Sequence, residues 1–215
     1  MEPQITWYAQ SAFRVEVGRL RIYLDPYHLP PGQPPADVLM VSHDHGDHLS
    51  GDDIAKVRTR DTVVFASPPA AKKLDPPVTT LAPGQSARHG ELGVRAVPAY
   101  NVNKFRSPGV PYHPRESQHV GFVFEIGGLR FYFAGDTDVI PEMSEIGPVD
   151  YAFLPVSGTY VMTAEEAAEA VRQIRPRVVI PMHYGSIVGS VEDAEKLARL
   201  APEGVEVRIL TPISR

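Results

Sequence analysis

The sequence predicts an α/β protein with two sheets and helices on the outside. Three observations carry this. Strand-like and helix-like segments alternate in both halves of the 215-residue chain, the pattern of layered α/β folds. Apolar residues make up 43% and charged residues 22%, so a sizeable core can form and wholesale disorder is not expected. The run "ADVLMVS" at 36–42 is apolar almost throughout, as in a strand covered on both faces.

The elements follow in order. "ITWYA", "FRVEV" and "LRIYL" at 5–24 are rich in β-branched and aromatic residues and read as strands. A proline-rich connection at 30–36 leads to "ADVLMVS". "GDDIAKVR" reads as a short helix and "TVVFAS" as a strand. "PPAAKKL" reads as a helix opened by Ser67 and its prolines. "ELGVRAVPAY" is a strand, and "HVGFVFEIGGLRFYFAGD" is a hairpin turning at Gly127-Gly128. Between them, "NKFRSPGVPYHPRESQ" at 103–118 is a long polar loop, and loops of that length are usually functional or mobile. "DYAFLPV", "RVVIPMH" and "VEVRIL" are the later strands. "TAEEAAEAVRQI" and "VEDAEKLARLA" are helices. The first has apolar residues at 167, 170, 171 and 174, and Thr163 with Glu166 forms its expected capping box. No repeat or low-complexity segment interrupts 1–215, so one domain is expected.

Composition narrows the function. The net charge of −5 argues against a broad basic surface for nucleic acid. No apolar stretch approaches the roughly 20 residues of a membrane span, and "MEPQITWYAQ" lacks the basic and apolar regions of a secretory leader. A soluble cytoplasmic protein is expected. Abundant proline and an excess of arginine over lysine suggest a thermophile. There is no cysteine, which excludes disulfides, thiolate metal sites and cysteine nucleophiles. Any metal must be held by nitrogen and oxygen.

The stretch "VSHDHGDHLSGDD" at 41–53 offers such ligands at high density: His43, His45, Asp47 and His48. His43 and His45, two apart near a strand end, can point to the same side. Asp47 and His48 turn around the next bend, so all four can converge. Imidazole and carboxylate suit zinc, manganese or iron when sulfur is absent. Asp44 is expected beside the ligands or exposed. One loop rarely completes two sites. "FYFAGDTD" delivers Asp136 at a strand end behind a glycine, and "VVIPMHYG" delivers His183 in the same way.

His43-x-His45-x-Asp47-His48, "GDT" at 135–137 and "MHYG" at 182–185, in that order, resemble the metallo-β-lactamase superfamily over nearly the whole chain. "WYAQSAF" at 7–13 and "YLDP" at 23–26 look like its ascorbate-phosphate-lactonase-like branch of small metal-dependent hydrolases. The resemblance implies an αββα sandwich of two mixed sheets, with one or two divalent metals, most often Zn2+ (Mn2+ or Fe2+ also fit), at the rim between the sheets. It assigns His43 and His45 to one metal, Asp47, His48 and His183 to a second, and Asp136 as the bridge. Asp25 would orient the histidine loop. A metal-bound hydroxide would then attack a small ester, lactone or phosphoester, with Asp47 or Asp136 holding the water and taking its proton.

The chain departs from that family at one point. The family usually places a third histidine for the first metal where this strand ends "VPAYNVNK". The chain has two asparagines, Asn101 and Asn103, and both fall there. Three readings stay open. Asn101 is a weak ligand or bonds the metal-held water; His119 or His113 reaches in from the loop; or the first site is weak. The alternatives to a hydrolase are a mononuclear iron enzyme of oxygen or sulfur chemistry on the same fold, and a non-catalytic metal-binding protein with a degenerate first site. His28 and His89 are expected at the surface or in packing, Tyr184 in packing or beside substrate, and "SGTY" at 157–160 at a helix N-terminus.

Overall fold

The computed structural model describes residues 2–213. Its first sheet runs β1 (Gln4–Ala9), β2 (Ala12–Val17), β3 (Leu20–Leu24), β4 (Val38–Val41), β5 (Val63–Ala66) and β6 (Thr79–Thr80), in that spatial order. The first three strands pair antiparallel and the rest parallel. Next come β7 (Ser86–His89) and β8 (Leu92–Pro98), then a separate two-stranded ribbon, β9 (Phe105–Ser107) with β10 (Val110–Pro111). β11 (Val120–Ile126), β12 (Leu129–Phe133), β13 (Val149–Pro155), β14 (Pro176–Met182) and β15 (Glu206–Val207) complete a second sheet. Its order is β15-β14-β13-β12-β11-β8-β7, mixed like the first.

Strand alternation explains the layering. In β3 and β4, Ile22, Leu24, Val38 and Met40 join the large core shared with the second sheet. Tyr23, Leu39 and Val41 point the other way, into a second core. There they meet Ile54 and Val57 of α1 (Gly51–Val57) and Ala70 of α2 (Pro68–Ala71). β4 is therefore covered on both faces, as its unbroken apolar run requires. The two sheets meet directly where Phe13 lies 4.8 Å from Phe153, ring to ring. Phe13 is fully buried, and trimming such a side chain to alanine costs about 3–5 kcal/mol.

On the outer face of the second sheet, α3 (Ala164–Ile174) packs beside α4 (Val191–Leu200). The apolar spacing of α3 puts Ala167, Ala170, Val171 and Ile174 into the core. Thr163 and Glu166 close its capping box in both directions. The result is an αββα sandwich. Three elements differ from expectation. The helix after Ser67 stops at four residues. The last strand pairs only at Glu206–Val207. The long polar loop at 103–118 contains the β9–β10 ribbon and a 3-10 turn at Arg115–Ser117. No helix among the described residues is long and apolar enough to cross a membrane.

Candidate metal centre

The C-terminal ends of parallel strands are the usual place for an α/β site, and the histidine turn leaves β4 there. Asp25, one residue past β3, organises it from beneath. Its backbone is left-handed (φ +42), a conformation aspartate tolerates better than most residues. Its buried carboxylate accepts the Ser42 N–H at 2.7 Å, the Ser42 hydroxyl at 2.5 Å and the His48 Nδ1–H at 2.7 Å. With Nδ1 so engaged, His48 presents Nε2 to the centre. Ser42 Oγ also sits 2.9 Å from His43 Nδ1, so His43 likewise presents Nε2, 3.1 Å from His45 Nδ1.

The second sheet supplies the opposite wall. Asp136 follows β12 behind Gly135, whose backbone is left-handed (φ +63) and where a Cβ would stand 2.9 Å from the Val120 carbonyl. His183 follows β14 with φ +61. Its N–H donates to the Gln10 carbonyl at 2.9 Å, and its Nδ1 lies 3.3 Å from Ser157 Oγ. A further backbone bond, Val120 N–H to the Ser42 carbonyl at 3.1 Å, ties β11 to the histidine turn. These two bonds between the layers hold the walls in register.

Asp136 sits at the middle. Its Oδ1 is 3.2 Å from His48 Nε2, and its Oδ2 is 3.2 Å from His183 Nε2, 3.3 Å from His113 Nε2 and 4.0 Å from His43 Nε2. Asp47 Oδ2 lies 3.5 Å from His48 Nε2 and 3.8 Å from His183 Nε2. The His48 and His183 rings are 5.9 Å apart. The structure thus brings together all six residues singled out from the motifs: His43, His45, Asp47, His48, Asp136 and His183. It adds His113 and His119. The His43 ring is 5.3 Å from His113 and 4.8 Å from His119.

Of the readings left open for Asn101, the geometry matches the one in which a loop histidine reaches in, and Asn101 stands behind that histidine rather than as a ligand. Its side-chain oxygen accepts the His113 N–H at 2.8 Å and stands 2.9 Å from His113 Nδ1. Its amide nitrogen donates to the Tyr160 carbonyl at 2.8 Å. Its own N–H donates to the His113 carbonyl at 2.9 Å. With its oxygen taken by two contacts to His113, Asn101 turns the His113 Nε2 toward Asp136 and offers no free amide oxygen of its own. The residue that replaces the expected histidine recruits another one from twelve positions on.

Whether these residues suit a cation is tested by their unpartnered atoms. His48 Nε2, His183 Nε2, His119 Nδ1 and Asp136 Oδ1 are all buried and make no hydrogen bond of good geometry, although His48 Nε2 and His183 Nε2 each stand 3.2 Å from an Asp136 oxygen. Buried polar atoms are otherwise nearly always satisfied, and these belong to residues gathered around Asp136. Ligand atoms of Asp47, His48 and His183 lie within 4.8 Å of one another on one side, and those of His43, His113 and His119 on the other. The donor set is nitrogen and carboxylate, which suits zinc, iron or manganese. Burial pushes the His43 imidazole well below its usual value and His113 and His119 down to about 4. They are neutral near pH 7, the form that ligates. Burial also disfavours charge on His48 and Asp136. The Asp136 and Asp47 carboxylates outweigh it and hold His48 high, while His183 and His48 hold Asp136 well below the carboxylate range.

The remaining residues fall in place around this. Asp44 is half-buried and paired with Lys73 at 2.6 Å. His28 and His89 are exposed. Tyr184 is buried 4.8 Å from the Trp7 ring and packs. The 157–160 turn ends in the ordinary cap by Thr163. The base of the 103–118 loop is pinned: buried Asp138 accepts the N–H groups of Val102 and Asn103. Lys104 lies 3.4 Å from Asp138 and 2.7 Å from Glu166. Sequence reasoning missed Gln10, which donates to Asp47 Oδ2 at 3.4 Å. No ligand-type pattern marks it; its left-handed φ of +47 is visible only in the fold.

Comparison with known proteins shows the family and the fold. The family described as "Beta-lactamase superfamily domain" matches residues 4–183. A metal-dependent hydrolase of Thermococcus onnurineus is 30% identical over 97% of this chain and 96% of its own. A protein of known structure from Parabacteroides distasonis is 34% identical, with a TM-score of 0.85 over 96% of this chain and 92% of that one. A metallo hydrolase from Ignicoccus hospitalis is 27% identical, with a TM-score of 0.76 over 98% and 95%.

Proposed function

This chain belongs to the metallo-β-lactamase superfamily, as a metal-dependent hydrolase of it, and from that premise we propose that it cleaves a small ester, lactone or phosphoester with two divalent cations. The observation that carries the reading is the pair of ligand groups flanking Asp136 with their unpartnered buried atoms. Asp47, His48 and His183 would hold one cation; His43 and His113 of the other group, with His45 whose Nδ1 stands 3.1 Å from His43 Nε2, would hold the second, with Asp136 shared between them. Bound there, Zn2+ or a similar ion would bring the pKa of water down toward neutrality and polarise the substrate.

The chain's own residues do the rest. Asp25 fixes the His48 tautomer, and Asn101 does the same for His113. Asp47 is half-buried, the most exposed carboxylate of the centre. It accepts the water's proton and is itself held by Gln10. Asp136 keeps both ligand groups in place and remains ionised. The ribbon at 105–111, anchored at its base through Lys104, borders the centre through His113 and selects the substrate. Nucleic acid does not fit the net charge of −5.

The test is metal analysis of protein purified without added metal, followed by assay against nitrophenyl esters, lactones and phosphodiesters. Activity should vanish with chelation and return with Zn2+, Mn2+ or Fe2+. Turnover that survives full chelation, or survives His48→Ala, would sink the reading.

A further inference from the structure

The third histidine of the first cation group is accounted for by His113, which leaves His119 unexplained. It is only 6% exposed. Its ring lies 4.8 Å from His43, 5.5 Å from His45 and 5.7 Å from His113. One ring nitrogen of each of His43, His113 and His119 lies within 4.8 Å of the others. Its Nδ1 is buried with no hydrogen-bond partner, in the same condition as His48 Nε2 and His183 Nε2. Its Nε2 faces Asp44 Oδ1 at 3.8 Å, and Asp44 is fixed from its other oxygen by Lys73. An imidazole with one nitrogen toward a carboxylate and the other bare is the arrangement of a metal-bound histidine. A purely structural buried histidine would have bonded both nitrogens.

We propose that His119 is a fourth imidazole ligand at the cation group of His43, His45 and His113, bound through Nδ1 with Asp44 behind Nε2. The proposal rests on the two-cation reading above. It reverses the order of affinity that the missing histidine suggested. The group with the incomplete motif becomes the richer one, with four neutral nitrogens and the shared Asp136. A set weighted to imidazole favours Zn2+, Co2+ or Fe2+ over Mn2+ or Mg2+, which take oxygen ligands.

The experiment is a Co2+ titration of the metal-free full-length protein, followed by calorimetry and visible absorption. Wild type is compared with His119→Ala, with His43→Ala, and with His28→Ala as an exposed-histidine control. In His119→Ala one Co2+ should bind about tenfold or more weaker, since even partners behind a ligand are worth about that much. Its absorption bands should shift, and the other ion should bind as in wild type. His43→Ala should lose the same ion more severely, and His28→Ala should change nothing. If His119→Ala keeps wild-type affinity and bands while His43→Ala loses the ion, His119 is no ligand and the two-cation reading stands. If wild type takes up no Co2+, both fail. Should His119→Ala not fold, 113Cd–15N coupling in 15N-histidine-labelled wild type decides: coupling to the His119 ring is expected, and its absence overturns the proposal.

Discussion

The six-stranded sheet delivers His43, His45, Asp47 and His48 from one turn after β4. The layer built on the seven-stranded sheet delivers His113, His119, Asp136 and His183 from four separated points of the chain. The first set is held locally: the N–H groups of His48 and Leu49 both donate to the His45 carbonyl, at 3.0 and 2.8 Å. Asp25 locks the turn from below. The second set has no such turn. Each residue takes its position from a different contact: Asn101 for His113, the Ala99 N–H on the His119 carbonyl at 3.2 Å, the close approach of Gly135 for Asp136, the Gln10 carbonyl for His183. A local set survives loss of a remote contact, whereas a dispersed set loses one ligand for each contact broken.

The sharpest way to break that contrast is at the residue both groups share. Asp136→Ala should abolish tight binding of both cations, with an affinity loss beyond about 100-fold, read by metal content after dialysis. One cation retained at full affinity would mean that Asp136 serves only one group.

Next in size is the contact on which His113 depends. Asn101→Ala should weaken one cation by about 10- to 100-fold and leave the other unchanged, the usual cost of losing a residue that orients a ligand. Asn101→His, which on sequence grounds would restore a missing ligand, should weaken that cation too, because it removes the oxygen that holds His113. Calorimetric titration of both variants measures this. A tighter site in Asn101→His would show that His113 is dispensable.

A smaller effect is expected at the loop anchor. Lys104→Ala leaves the carboxylates of buried Asp138 and half-buried Glu166 without their cation. It should cost about 1–3 kcal/mol in denaturant unfolding and raise amide exchange in the 105–112 ribbon, while the four residues of the β4 turn keep their protection. Equal loss of protection in both sets would erase the distinction between them.

The smallest effect lies on the local side, away from the centre. Burial opposes the charge on Asp53, but Lys56, Ser50 and the N–H groups of Leu29 and His28 prevail and hold its carboxyl below the usual value. A depressed pKa contributes stability above the unfolded value near about 3.9, and that stability is lost as pH falls through the lower folded value. Asp53→Asn should therefore cost about 1 kcal/mol at pH 7, with a shallower loss toward acid than wild type. Metal content should not move. Acid unfolding curves of the two proteins check the sign.

The contrast also explains what could be read in advance. His43, His45, Asp47 and His48 are adjacent in sequence, so their density alone identified them. Asp136 and His183 were legible because each follows an apolar strand directly. His113 carried no such mark, being set in a polar, proline-rich loop between a 3-10 turn and a two-residue strand. Asn101 was noticed as one of two asparagines, but its task depends on a partner twelve residues away.

By itself the sequence determined the layers and the local half of the centre. Alternating and continuous apolar runs set which strand faces are buried, and a six-residue turn braced by Asp25 of its own sheet needs no partner from the other sheet to converge. The tertiary structure alone decided the other half. Bringing His113, His119, Asp136 and His183 around one point requires two sheets docked in a single register, fixed by bonds such as Val120 to Ser42 and His183 to Gln10. Those bonds join backbone groups that every residue carries, so no choice of side chain announces them.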